Sequence, residues 1–413
     1  MKLLVICPHY APDVAPTGEV MTSIASALVE RGHRLDIVTA LPWYRKHDIE
    51  PGWDHKLTQT ETTPWGSITR LHPFPTNKSN IWARALAFGG FTGVATLVSM
   101  FRRERPDAVL VMSPPLILGI AGWLAARRFR VPMVFNIQDV FPDVAVEVGA
   151  ITNSKVIAVA RWLERFLYLR SDAVTVLSDD LRDNLRTKIG RRNPDRVRVI
   201  PNFVDTERIA PADRMTTYRK EFGLGDRTVV MYAGNVGYSQ SLDLLVGAAR
   251  RFADRRDVVF VVNGEGSGLN EVRGSADGLD NIVFAGLQPK ERLVEVLASA
   301  DIHTVLLKRG LARSSVPSKM YSILAAGRPC VASVDSDTEV ERSIRAANAG
   351  VSVPPEDLDA FCEALEPLLD DAEERRDMGA SGRRWVENWA SPAAVAEAYE
   401  RLFEELIDRR SRS

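Results

Sequence analysis

Cysteine is scarce in this 413-residue chain, and its placement excludes two classes at once. Cys7, Cys330 and Cys362 are isolated and odd in number, so they offer no paired zinc spacing and fit a secreted disulfide framework poorly. The cytosol is favoured. Net charge is also missing: 53 Lys and Arg against 54 Asp and Glu give −1, with no global pull toward nucleic acid. No finger, aromatic ribonucleoprotein motif or basic zipper is present, and no repeat period or low-complexity tract. The opening Met1 to Pro8 has too short an apolar run for a signal peptide and reads as a first strand. The apolar run Ala85 to Phe101, closed by Arg102-Arg103-Glu104-Arg105, falls short of the roughly 20 residues a spanning helix needs. Gly89, Gly90 and Gly93 weaken it further, so it reads first as a buried helix and second as an interfacial membrane contact.

What is present is enough apolar material, 45% of residues, to bury two cores. Apolar strands alternate with amphipathic helices, the pattern of parallel sheets wrapped by helices. In the first half, strands are expected at Leu3 to Cys7, Leu35 to Thr39, Ser67 to Leu71, Ala108 to Met112, Met133 to Asn136, Ala173 to Leu177 and Val197 to Ile200. The first helix is expected over Glu19 to Glu30, after a loop holding Pro12 and Pro16, and further helices over Trp82 to Arg103 and Ser154 to Leu169. Pro201-Asn202-Phe203-Val204-Asp205 breaks the pattern and reads as a linker. Beyond it, strands at Thr228 to Ala233, Val258 to Asn263, Asn281 to Ala285, Ile302 to Val305 and Cys330 to Val334 form a second parallel, doubly wound sheet, followed by terminal helices. Residues 1–204 carry +7 and the remainder −8, which suits different partners for the two halves. Open parallel sheets bind ligands at the carboxyl ends of their strands, so the chemistry is expected between the domains.

Candidate residues follow from those strand ends. In the first loop, His9 and Gly18 stand where a backbone can approach a ligand, although His9 alone is more often structural. Phe135 to Asp143 follows another strand and brings Gln138 and Asp139 to its carboxyl end. Asp139 can orient an acceptor hydroxyl or take its proton, and Asp143 reads equally well as a helix cap. In the second half, Gly234-Asn235-Val236-Gly237 and Gly264-Glu265-Gly266 each follow a strand, and their small residues permit close approach to phosphate oxygens. Neither is a GxGxxG or a Walker loop. Lys308-Arg309 and then Pro317-Ser318-Lys319 complete the set: Ser318 can cap a helix whose first turn holds Lys319 beside unpaired N–H groups. A nucleotide diphosphate pocket explains this grouping better than chance turns do.

The ordered motifs Pro8-His9-Tyr10-Ala11-Pro12, Arg31-Gly32-His33, Ile200 to Asp205, Tyr232 to Gly237, and Pro317-Ser318-Lys319 with Gly327-Arg328-Pro329 resemble a family-4 retaining glycosyltransferase of the GT-B fold, over essentially the whole chain. The stretch Asp139-Val140-Phe141-Pro142-Asp143, with Glu147 and Gly149, is similar to a bacterial surface-polysaccharide subgroup that includes fucosyl- and N-acetylfucosaminyl-like transferases. The resemblance implies two Rossmann-like domains facing a cleft: an acceptor domain over 1–204 completed by helix 393–413, and a nucleotide-sugar donor domain over 205–392. It also implies no essential metal or cofactor, with Lys319 and Arg309 stabilising the leaving diphosphate. Members often carry a basic pair after the first glycine and two glutamates eight apart. This chain has Asn235, no basic residue from Gly237 to Leu242, and serines at Ser314 and Ser322. Ser322, Glu265 or Glu339 would then replace the usual ribose contact. The expected partners are a nucleotide sugar and a glycan or lipid-linked acceptor, with peripheral contact at an anionic membrane on its inner face and no nucleic acid. Competing readings are a sugar-nucleotide epimerase of the same architecture and a non-catalytic sugar-nucleotide-binding protein.

Overall fold

Leu3, Leu4, Val5 and Ile6 are all fully buried, although successive strand residues point to opposite faces. Such a strand must be covered by helices on both sides, and this pattern governs the whole chain. The computed structural model describes residues 1–45, 48–53, 56–75, 81–143, 146, 151–190, 194–237, 239–310 and 319–412. They form two compact units, one of residues 1–202 with 395–413 and one of residues 203–394.

The first unit holds β1 (Lys2–Ile6), α1 (Pro16–Glu30), β2 (Arg34–Ala40), β3 (Thr58–Thr63), β4 (Gly66–Leu71), α2 (Ile81–Met100), β5 (Ala108–Ser113), α3 (Leu118–Phe129), β6 (Met133–Ile137), α4 (Ser154–Arg170), β7 (Ala173–Val176), α5 (Asp179–Ile189) and β8 (Val197–Val199). Its sheet runs β3-β4-β2-β1-β5-β6-β7-β8. From β4 to β8 every crossover moves the same way along the sheet, so right-handed connections place α2 to α5 on one face and α1, which crosses back, on the other. Phe91, Ala121, Leu167 and Leu185, one from each of those four helices, share a single core. Among the described residues no helix is long and apolar enough to cross a membrane.

Three expectations are corrected. The first sheet is not wholly parallel, because β3 pairs antiparallel with β4. Thr58-Gln59-Thr60-Glu61-Thr62-Thr63 carries no apolar side chain to signal a strand, and at a sheet edge it needs none. Helix α1 begins at Pro16 rather than Glu19, since the first helical position makes no use of the N–H that proline lacks. Helix α2 ends at Met100, so Phe101 to Arg103 lie beyond it.

The second unit contains α6 (Thr217–Glu221), β9 (Thr228–Ala233), α7 (Asp243–Arg251), β10 (Val258–Asn263), α8 (Leu269–Ser275), β11 (Ile282–Phe284), α9 (Leu293–Ser299), β12 (Ile302–Leu306), α10 (Lys319–Ala325), β13 (Cys330–Ser333), α11 (Glu339–Ala347), β14 (Gly350–Val353), α12 (Leu358–Asp370) and α13 (Ala372–Trp389). All its strand pairs are parallel, in the order β11-β10-β9-β12-β13-β14. Strand β14 and helices α6, α8 and α11 were not expected, the strand being four residues that open on Gly350. The last helix, α14 (Pro392–Ser411), belongs to the first unit from Val395 onward. Its Tyr399 hydroxyl accepts from Asn136 Nδ2 at 2.7 Å and lies 3.1 Å from Thr175 Oγ1, while Glu405 pairs with Arg198 at 2.8 Å. A buried polar cluster thus fixes its register on β6 and β7.

Candidate functional site

At the carboxyl end of β9 the chain turns through Gly234, whose φ of 145° disfavours any side chain. A Cβ there would also crowd Lys319, whose Nζ lies 3.0 Å from that position. Lys319 is the first residue of α10, and its ammonium donates to the Tyr232 hydroxyl at 2.8 Å while sitting 4.1 Å from the centre of the Tyr232 ring. Tyr232 in turn donates to the Asn235 carbonyl at 2.6 Å. Among the described residues Lys319 has no carboxylate partner. Burial therefore pushes its pKa down to about 8, and the same burial raises that of Tyr232. Among the described residues this ammonium is supported by a phenol and a π-face and by no opposite charge, an arrangement that suits pairing with an anion.

The glycine loops serve a different purpose from the one their composition suggested. A Cβ on Gly264 would stand 1.9 Å from the Gly234 carbonyl oxygen, and one on Gly266 would stand 2.2 Å from that of Val236. These glycines let two strand-end loops pack backbone to backbone. The contact is sealed by hydrogen bonds from Gly234 N–H to the Asn263 carbonyl at 2.9 Å, from Val236 N–H to the Glu265 carbonyl at 2.8 Å and from Gly268 N–H to the Val236 carbonyl at 2.9 Å. Gly237 N–H donates to the Gln240 side chain at 2.9 Å. The loop amides at 234, 236 and 237 are thus already used, and the cationic side chain set against Gly234 is that of Lys319.

The remaining candidates of this unit divide. Lys308 N–H donates to the Ser239 carbonyl at 3.0 Å, which ties β12 to the first glycine loop. Arg309 turns to the loop after β14, donating to the Pro355 carbonyl at 3.2 Å. Glu339 opens α11 and is held by its own helix, through Arg342 at 3.2 Å and Ser343 at 3.3 Å. Asn235 and Glu265 are exposed and Ser322 is half-buried on α10. Ser318, Ser314, Glu147 and Gly149 lie outside the described residues. Among those described, no group of three or more His, Cys, Asp or Glu side chains is arranged to hold a metal ion.

In the first unit, the loop after β1 pairs His9 with Asp13. His9 Nδ1 and Asp13 Oδ2 are 2.7 Å apart, and the other Asp13 oxygen accepts Tyr44 N–H at 3.1 Å. The imidazole stacks on Trp43, and a Cβ on Gly18 would come 2.9 Å from His9 Cβ. Gly18 therefore makes room for His9 rather than for a ligand. Gln138 is buried and donates to Asn136 at 2.8 Å, joining the cluster that holds Tyr399. Asp139, next in sequence, is exposed and without a hydrogen-bond partner among the described residues, and partial desolvation raises its pKa. Tyr232 and Asp13 were missed as site residues. A tyrosine inside an apolar run reads as core, and an aspartate four residues from a histidine signals a pair only once the loop path is known.

Two α/β units of this kind recur in solved structures. The fold matches sucrose-phosphate synthase from Thermosynechococcus elongatus with a TM-score of 0.69 at 17% identity, over 99% of this chain and 100% of that one. It matches Anabaena HepE in complex with UDP at 0.65 and 12% identity, over 98% and 100%. In sequence, the chain is 27% identical over 384 residues to the putative colanic acid biosynthesis glycosyl transferase WcaI of Escherichia coli, spanning 89% of this chain and 92% of that protein. It is 26% identical over 324 residues to the probable glycosyltransferase WbjE of Pseudomonas aeruginosa, spanning 76% and 80%. The protein is a glycosyltransferase of the GT-B fold. More particularly, residues 17–202 match the glycosyl transferase 4-like domain and residues 227–371 the glycosyl transferases of group 1, so the chain belongs to glycosyltransferase family 4.

Proposed function

We propose that this glycosyltransferase takes a sugar from a nucleotide-sugar donor bound at the strand ends of the second unit. The acceptor is a hydroxyl of a glycan or lipid-linked glycan, in the building of a bacterial surface polysaccharide. The observation that carries the reading is Lys319, a half-buried ammonium beside the Gly234 loop with no carboxylate partner among the described residues. A diphosphate leaving group supplies the missing charge. As the bond from the anomeric carbon to the diphosphate oxygen breaks, negative charge grows on that oxygen and Lys319 stabilises it, the role a metal fills elsewhere. Asp139, exposed and without a hydrogen-bond partner among the described residues, orients the acceptor hydroxyl and takes its proton, and attack from the face that the diphosphate leaves retains configuration.

Relatives and neighbours support the class of donor and product. HepE was solved with UDP and with UDP-glucose, and WcaI is named for colanic acid biosynthesis. The stretch from Asp139 to Asp143 is similar to that of fucosyl- and N-acetylfucosaminyl-like transferases, which supports a donor sugar of that kind. A thermal-shift screen of nucleoside diphosphates and their sugars tests the donor site, because a ligand of the native state raises the melting temperature by mass action. A stabilising diphosphate, and release of that diphosphate only when an acceptor is added, is the expected result. Turnover of donor without acceptor would favour an epimerase, and the absence of any stabilising diphosphate would sink the proposal.

A further inference from the structure

Helices α2, α3 and α4 cover one face of the first sheet, with α3 between the other two. Their inward sides form the core, so their outward sides should be polar. They are not. On α2 and just beyond it, Leu86, Leu97 and Phe101 line one stripe, and Leu86 and Phe101 are each 78% exposed. On α4, Val159 and Trp162 are each 64% exposed, one helical turn apart. Trp123 of α3 packs edge-on against Phe166 of α4, with ring centres 5.2 Å apart, so α3 and α4 present one continuous surface.

The charges on the outward sides of α2, α3 and α4 are of one sign, and Glu104, three residues past Phe101, is paired with Lys2. Arg127, Arg128, Lys155, Arg161 and Arg165 are exposed, and none has a carboxylate partner among the described residues. Helices α2 and α3 contain no acidic residue, and the single acid of α4, Glu164, turns inward, where it is buried and paired with Lys188 at 2.7 Å. Exposed arginines elsewhere behave differently: on α14, Arg401 and Arg409 are paired with Glu397 and Glu405.

We infer that the outward face of α2, α3 and α4 docks on an anionic lipid bilayer, the apolar side chains entering the interface and the cations meeting lipid phosphates. The inference deepens the proposed function and rests on its reading of a lipid-linked acceptor. Nucleic acid would use the cations but give no burial to Leu86, Leu97 or Val159. A second copy would bring like charges together.

The test is sedimentation of the full chain with vesicles of phosphatidylcholine alone and of phosphatidylcholine with an equal part of phosphatidylglycerol. The intact protein should bind only the anionic vesicles, and less at high salt. Each cation near an anionic surface contributes roughly fivefold, so Arg161→Gln with Arg165→Gln should weaken partitioning about 25-fold. Trp162→Ser should weaken it about tenfold at any salt. All three side chains are exposed, so the variants should stay folded, with a small drop in melting temperature for Trp162→Ser, whose ring stacks on Phe166. No vesicle binding, equal binding to both compositions, or variants that bind like the intact protein would each overturn the inference. So would a duplex-binding or self-association signal that the same variants abolish in place of vesicle binding. Transfer to a water-soluble acceptor, measured in parallel, separates the two readings. Turnover without vesicle binding removes the docking surface alone, and vesicle binding without turnover on any donor removes the proposed function alone.

Discussion

The strand ends of the two sheets solve the problem of buried polar groups in opposite ways. In the first unit they satisfy one another: Asp13 closes on His9, and Gln138, Asn136, Thr175 and Tyr399 form one hydrogen-bonded cluster. In the second, the loop amides of Gly234, Val236 and Gly237 are satisfied, but among the described residues Lys319 has only a tyrosine. A closed network is built for stability and position, whereas an uncompensated cation destabilises the free protein and gains its partner on binding. Substitutions on the two sides should therefore fail differently, the one in activity and the other in stability.

Lys319→Ala should show the largest effect, lowering kcat/KM by about 10²–10³-fold, as expected when a donor to developing negative charge is lost. The fold should survive, because the substitution removes a buried charge rather than a pair. Its pH signature has a defined sign. With the native pKa at about 8, below the ordinary lysine value, the unfolded chain binds more protons above that pH. Stability of the intact protein should rise from about pH 8 upward as the lysine sheds its proton. Nucleoside diphosphate affinity should fall over the same range, and both trends should vanish in the variant. Calorimetry at a series of pH values checks this, and a pH-independent affinity in the intact protein would place the diphosphate elsewhere.

Gly264→Ala comes next and crosses the comparison, because it lies on the donor side yet acts through packing. The methyl group would overlap the Gly234 carbonyl, a contact of 1.9 Å that only a shift of one loop relieves. A loss of about 2–3 kcal/mol in urea unfolding is expected, with donor affinity falling alongside. Full stability would mean that the two loops are not locked together.

How much of this was legible beforehand depends on the kind of signal. The buried parallel strands announced themselves through runs such as Val258 to Val262, and Lys319 through the proline, serine and glycines around its helix. Strand β3 did not, because its six residues are polar and its pairing is decided by β4. The glycines of the two loops were legible as close-approach positions, but what approaches them was not. Gly264 faces a backbone and Gly18 faces His9, neither of which spacing along the chain reveals. Tyr232 was hidden for the same reason, since its importance lies in a contact 87 residues away in sequence.

On the first unit's side, Tyr399→Phe should cost about 1–2 kcal/mol and leave donor affinity unchanged. Asn136 would keep its bond to Thr175 at 3.2 Å but lose the one at 2.7 Å, so one buried N–H is left without an acceptor. The expected signature is faster amide exchange in α14, since that hydroxyl anchors it. A loss of donor binding with stability intact would reverse the roles assigned to the two strand ends.

Tyr232→Phe should have the smallest effect and sharpens the comparison most. The ring stays, so the 4.1 Å contact under the ammonium survives, while the 2.8 Å hydrogen bond to Lys319 and the 2.6 Å bond to the Asn235 carbonyl are lost. If the phenol positions Lys319 for a diphosphate, KM for the donor should rise about fivefold with kcat little changed, the equivalent of one modest hydrogen bond. If instead the phenol only fills the core, the variant should lose stability and keep its KM. The pH dependence separates these cases as well. Removing a hydroxyl that accepts from the ammonium makes the charged form less favourable, so the downturn in diphosphate affinity should move below pH 8 in the variant. A downturn that stays in place would reduce Tyr232 to packing and leave Lys319 to find its position from α10 alone.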